Sequence, residues 1–145
     1  RWGSNYSDDF SERNIAWQRI THENTFCLTK ENTVILDSMA FINGAKEKTY
    51  YLLAVLNSSL VKFWMKKNVP EYGSTGYRFS NQFVTQIPVP LFVEEKELAK
   101  INDYVKEYFE GKDTSNVINE FVFRIFKLTK EEIKYIDSEN YLYNQ

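Results

Sequence analysis

An α+β domain is predicted for this chain: a small mixed sheet packed on helices, with a helical C-terminal segment. Three observations carry that expectation. β-Branched and aromatic residues crowd residues 14–42. An apolar face with three- and four-residue steps runs through residues 46–67. From Glu94 onward, amphipathic stripes alternate with helix-stop and helix-start signals. Both periods are diagnostic of the element that buries them. At 145 residues, 43% hydrophobic and 17% aromatic, the chain has the size and composition for one domain with its own core.

The elements are expected in the following order. Residues 1–13 form a polar lead-in, where Asp8 and Asp9 suit turn or cap duty. "NIAWQRIT" (14–21), "TFCLTK" (25–30) and "TVILDSMAFI" (33–42) read as three short strands, and Asn43–Gly44 as a turn. Residues 46–67 read as one helix, with Leu52, Leu53, Leu56, Leu60, Phe63 and Trp64 on its apolar face. Glu47 in its first turn and Lys66–Lys67 in its last match the helix dipole, and Pro70 stops it. Residues 72–82, "YGSTGYRFSNQ", read as a polar loop whose glycines permit sharp bends. "FVTQIPVPLF" (83–92) reads as an extended edge segment, because Pro88 and Pro90 cannot donate to a ladder. Leu98, Ile101, Tyr104, Val105, Tyr108 and Phe109 mark a helix that Gly111 ends. Val117, Ile118, Phe121, Val122, Ile125 and Phe126 mark another, and Thr129-x-x-Glu132 is a capping box opening a last one.

The net charge is −2, unevenly placed. Residues 1–92 hold ten Lys/Arg against eight Asp/Glu, and residues 93–145 hold eight against twelve. The densest basic patch is Lys62, Lys66, Lys67 and Arg78. The lone Cys27 forms no internal disulfide and fits a reducing cytoplasm. No apolar run approaches a membrane span. The first Met is Met39, so the chain reads as a fragment of a longer or processed protein.

Catalytic patterns are missing from the sequence. One His and one Cys cannot build a closed zinc site, and there is no Gly-x-Ser-x-Gly elbow. Gly73 and Gly76 lack the Lys-Ser/Thr of a phosphate loop. Glu94-x-Lys96 lacks the Pro-Asp partner of a nuclease centre. Two polar concentrations remain. One holds Gln18, Arg19, Thr21, His22 and Asn24; the other holds Ser74, Thr75, Tyr77, Arg78, Asn81 and Gln82. Arg, Gln and Asn suit base edges, and hydroxyls and lysines such as Lys66 and Lys67 suit phosphates. These thirteen residues are the candidate DNA-binding set. A second reading is a protein-interaction module that docks a partner subunit through its helical part.

Four stretches carry a family likeness: "IAWQRITHENTFCL", "YYLLAVLNSSLVKFWMKK", "YRFSNQFVTQIPVP" and "INEFVFRIFKLTKEEIKYID". In order and spacing they resemble the C-terminal specificity domain of TaqI-like adenine-specific DNA methyltransferases and of type IIG restriction–modification enzymes. Lys127 stands where that tail often has a small residue. The family's Asn-Pro-Pro-Tyr motif and Gly-rich methyl-donor loop do not occur here. The resemblance therefore implies a single target-recognition domain over 1–145, with an α/β recognition core at 1–92 and a helical extension at 93–145. It implies double-stranded DNA and the methyltransferase domain of the same parent chain as partners, and no membrane. It implies no catalysis and no cofactor in this fragment. S-adenosylmethionine, and magnesium in a parent that also cleaves, belong to the rest of the enzyme.

Overall fold

The computed structural model describes residues 12–74 and 76–142, the side chain of Leu142 aside. The Asp8–Asp9 pair and Thr75 lie outside the described residues. The fold is α+β: among the described residues there are two small antiparallel sheets and six α-helices. The first sheet has the order β3-β1-β4, with β1 at Ile15–Gln18, β3 at Phe26–Leu28 and β4 at Met39–Ile42. The second has the order β2-β6-β5, with β2 at Ile20–Thr21, β5 at Glu71–Tyr72 and β6 at Gly76–Arg78. Among the described residues, no helix is long and apolar enough to cross a membrane.

Several expected elements are divided. "NIAWQRIT" breaks at Arg19, and its two parts join different sheets. Arg19 N–H donates to Ser38 O at 3.2 Å, while Arg19 O accepts from Phe79 N–H at 2.7 Å. Its two backbone groups thus serve different neighbours. The predicted helix 46–67 is a 3-10 turn followed by α1 (Thr49–Leu56) and α2 (Ser59–Asn68). Ser58 ends the continuity by capping α2, its hydroxyl accepting from Val61 N–H at 3.3 Å. Asn57 then bonds β3 as a neighbouring strand would. Its Oδ1 accepts from Phe26 N–H and its Nδ2 donates to Phe26 O, each at 3.0 Å. The expected extended segment 83–92 is also corrected. Phe83 and Val84 belong to a short helix, α3 (Asn81–Val84), and no strand lies in 83–92.

α4 (Glu95–Phe109), α5 (Ser115–Ile125) and α6 (Lys130–Leu142) fall close to their predicted places. α4 ends in a Schellman motif: Lys112 N–H reaches Glu107 O and Gly111 N–H reaches Tyr108 O, with Gly111 at φ +95°. The capping box also forms. Thr129 N–H donates to Glu132 Oε2 at 2.7 Å, and Glu132 N–H to Thr129 Oγ1 at 3.2 Å. α1 is central, packing on β3, α4 and α5, while α2 packs on α5 and α6. Ile101, Val105, Phe121 and Val122 therefore share one hydrophobic cluster with Trp17, Phe26 and Phe79. Val117 departs from its predicted stripe and is 39% exposed.

Two substitutions test this packing. Phe121 is only 3% exposed, so Phe121→Ala is expected to destabilise by about 3–5 kcal/mol. An unchanged melting curve contradicts its place in the core. Lys127 closes α5 in a second Schellman motif, with Leu128 N–H bonded to Phe123 O, and does so at φ +56°. That backbone region costs an L-residue about 1 kcal/mol that glycine avoids. Lys127→Gly is therefore expected to raise unfolding free energy by about 1 kcal/mol in denaturant titration.

Candidate nucleic-acid interface

The two polar stretches of the sequence meet as adjacent strands of the second sheet. β2 pairs with β6 in the register Ile20↔Arg78 and Thr21↔Tyr77. β5 pairs with β6 as Glu71↔Tyr77 and Tyr72↔Gly76. Side chains alternate across a strand, so Tyr77 and Thr21 share one face. Tyr77 is 8% exposed, which makes that face the inner one. The outer face carries Ile20, Tyr72 and Arg78, with Gly76 between them. The Arg78 guanidinium lies 5.0 Å from the Tyr72 ring centroid. A stacked cation of this kind is held in orientation while its N–H edges stay free for a ligand. His22 adjoins the same face: its Cε1 is 3.8 Å from where a Cβ on Gly76 would stand.

The sheet is fastened from below. Phe79, fully buried, follows Arg78 directly. Its carbonyl accepts from Trp17 Nε1 at 2.8 Å, and its ring meets Phe26 edge-on at 5.7 Å between centroids. Arg78 N–H also reaches Pro70 O at 3.0 Å. Gly73 turns the hairpin at φ +70°. Gly76 has a different use from the positive φ that its sequence context suggested. It allows close approach of β5, because a Cβ there would stand 3.0 Å from Tyr72 O.

The remaining predicted residues divide by environment. Gln18 and His22 are exposed at either side of β2, and Ser74 is exposed at the hairpin tip. Arg19 Nη1 is 3.5 Å from Asp37 Oδ1, a loose and exposed pair. The Thr21 hydroxyl is engaged locally, donating to Glu23 O at 2.6 Å. Asn81 and Gln82 are exposed in α3. Two residues face inward. Tyr77 is in the core, and Asn24, 6% exposed, donates to Leu56 O at 2.8 Å and Ser58 O at 3.0 Å across the α1–α2 break. Lys66 and Lys67 are directed onto α6. Lys66 Nζ donates to Asn140 O at 3.3 Å, and Lys67 pairs with Glu139 while resting over Phe63. Burial, and then the charge of Lys62, lowers the Lys66 pKa. Neither lysine is presented on the outer face of the sheet.

Ile20 and Tyr72 were absent from the sequence-based set, although both lie on the outer face, at 49% and 46% exposure. Their signal was present as an apolar residue between Arg19 and Thr21, and a tyrosine one step before the first glycine of the loop. Among the described residues, no group of three His, Cys, Asp or Glu side chains is placed to hold a metal. Gly76→Ala tests the close approach of the hairpin strands. It is expected to cost about 1–3 kcal/mol of local opening free energy, read as faster amide exchange at residues 71–78. Unaltered exchange there contradicts the tight β5–β6 contact.

Comparison with known proteins supplies the family. No curated protein matches the chain. The family profile described as the TaqI-like C-terminal specificity domain matches residues 4–89. That span covers β1 to β6 and α1 to α3, and so contains the outer face described above. The chain belongs to the TaqI-like C-terminal specificity domain family.

Proposed function

We propose that this domain reads DNA sequence for an adenine-specific methyltransferase of the type IIG restriction–modification kind, and that it performs no chemistry itself. One observation carries the reading. The fold pairs Ile20–Thr21 of one polar stretch with Tyr77–Arg78 of the other on one sheet and holds the Arg78 fork over Tyr72 at its outer face. A narrow antiparallel ribbon fits the major groove, where guanine offers O6 and N7 to a guanidinium. Membership of a specificity-domain family supports the same reading. His22, Arg19, Ser74, Gln18, Asn81 and Gln82 supply further base or phosphate contacts in this reading. Asn24 and Tyr77 act by holding the sheet in place. Methyl transfer, its S-adenosylmethionine, base flipping and any magnesium-dependent cleavage belong to a catalytic domain of the same parent polypeptide in the cytoplasm.

A second role for the helical part has its own support. Tyr108 and Phe109 on α4 and Tyr135 on α6 are each more than half exposed, and such aromatic surface suits contact with a partner domain. The two roles use different surfaces and are compatible.

Arg78→Ala and Arg78→Lys separate reading from clamping. With a panel of single-base variants of a bound duplex, both changes are expected to relax discrimination at one position by about 1–3 kcal/mol. Lysine keeps the charge and loses the planar fork. Equal weakening on every variant would make Arg78 a phosphate clamp. Unaltered binding in both would remove the outer face from DNA and leave the protein-docking role.

A further inference from the structure

We infer that Ile20 reads the 5-methyl group of a thymine, one or two base pairs from the position read by Arg78. The inference rests on the DNA-reading role proposed above and adds a second specificity residue to the same face. Ile15 and Trp17, one strand earlier, are 0% and 3% exposed. The bend at Arg19 changes the sheet, and Ile20 emerges 49% exposed on the edge strand β2, paired with Arg78 of the central strand β6. Burying this side chain inside the domain is therefore not its role. Arg78 does not cover it either, because the guanidinium is engaged over Tyr72, on the neighbouring strand across β6.

The surroundings select the occupant. Arg78 stands directly opposite Ile20, and Arg19 precedes it in the chain. An apolar partner protein would have to leave these cations against an apolar surface. Duplex DNA offers both kinds of chemistry within one groove. The major groove presents guanine acceptors for an arginine and the thymine methyl for an aliphatic side chain, whereas the minor groove carries no methyl. The spacing agrees as well. Directly opposed residues have Cβ atoms roughly 4.5–5.5 Å apart, and successive bases rise about 3.4 Å. Ile20 has no hydrogen-bonding group, so a phosphate or a bare base edge leaves it unmatched.

The test uses the intact chain and a duplex selected by it from a randomised pool. Each thymine of that duplex is replaced in turn by deoxyuridine, which removes only the methyl. At one thymine, within two base pairs of the guanine whose recognition depends on Arg78, binding is expected to weaken about fourfold. That is the value of one buried methyl at about 0.8 kcal/mol. In Ile20→Ala the same replacement is expected to change nothing. No sensitivity at any thymine in the unmodified protein overturns the inference without recourse to any variant. Equal sensitivity in Ile20→Ala also overturns it, by moving the contact to another residue. A selection that enriches no sequence overturns the DNA-reading role itself, and the inference with it. A selection that succeeds, followed by a negative deoxyuridine scan, leaves that role standing and removes only Ile20.

Discussion

Phe79 is the point on which the outer face of the second sheet depends. Its N–H donates to Arg19 O, its carbonyl accepts from Trp17 Nε1, and its ring lies edge-on to Phe26. Trp17, Arg19 and Phe26, all far from it in sequence, therefore meet at one fully buried residue. Each hydrogen bond contributes only about 1 kcal/mol net, but leaving one of these buried groups unpaired costs about 1–3 kcal/mol. The arrangement is therefore hard to shift. It also sets where β6 must run, and hence where Arg78, one residue earlier, must face. Recognition of a base edge requires such placement, since a fork displaced by an ångström loses its paired bonds.

The helices supply the support beneath. Asn57 and Ser58 divide what would be one long helix, and Asn24 spans the division by donating to carbonyls on both sides. The break lets α1 lie against β3 while α2 turns toward α6. Asn57 adds a strand-like bond pair to Phe26, the residue that meets Phe79. The path from the helical layer to the outer face is thus continuous: α1, Asn57, Phe26, Phe79, Arg78. Tyr51 adds a further tie, its hydroxyl donating to Pro90 O at 2.9 Å. Burial pushes that hydroxyl up to about 12, so it stays a donor in neutral solution.

Much of this was legible in the sequence, and the remainder was hidden for physical reasons. α4, α5 and α6 announce themselves because amphipathic period, Gly111 and the Thr129–Glu132 box are all local signals. The division at Asn57–Ser58 is weaker in sequence, because the apolar steps continue across it and only tertiary hydrogen bonds decide it. The change of sheet at Arg19 and the helix at Asn81–Val84 belong to the same class. The first is fixed by the long-range partners of Arg19, Ser38 and Phe79, and the second is a single turn too short to leave a periodic pattern. Of the polar residues singled out in the sequence, Thr21, Tyr77 and Arg78 share a sheet, with Arg19 and His22 flanking β2. Residue type could not say which side each faces. Asn24 and Tyr77 turn inward because the strand period and the helix break require it. Ile20 and Tyr72 turn outward, although apolar and aromatic residues in a strand are usually core.

The central claim is that the outer face of the β2-β6-β5 sheet, rather than the helical layer, meets DNA. Amide chemical-shift mapping tests it most directly, with the isotopically labelled chain titrated with its selected duplex. The account predicts that perturbations concentrate at residues 18–22, 71–74 and 76–82, with α4, α5 and α6 unchanged. Shifts confined to those helices, with residues 20–22 and 71–78 unmoved, would contradict it.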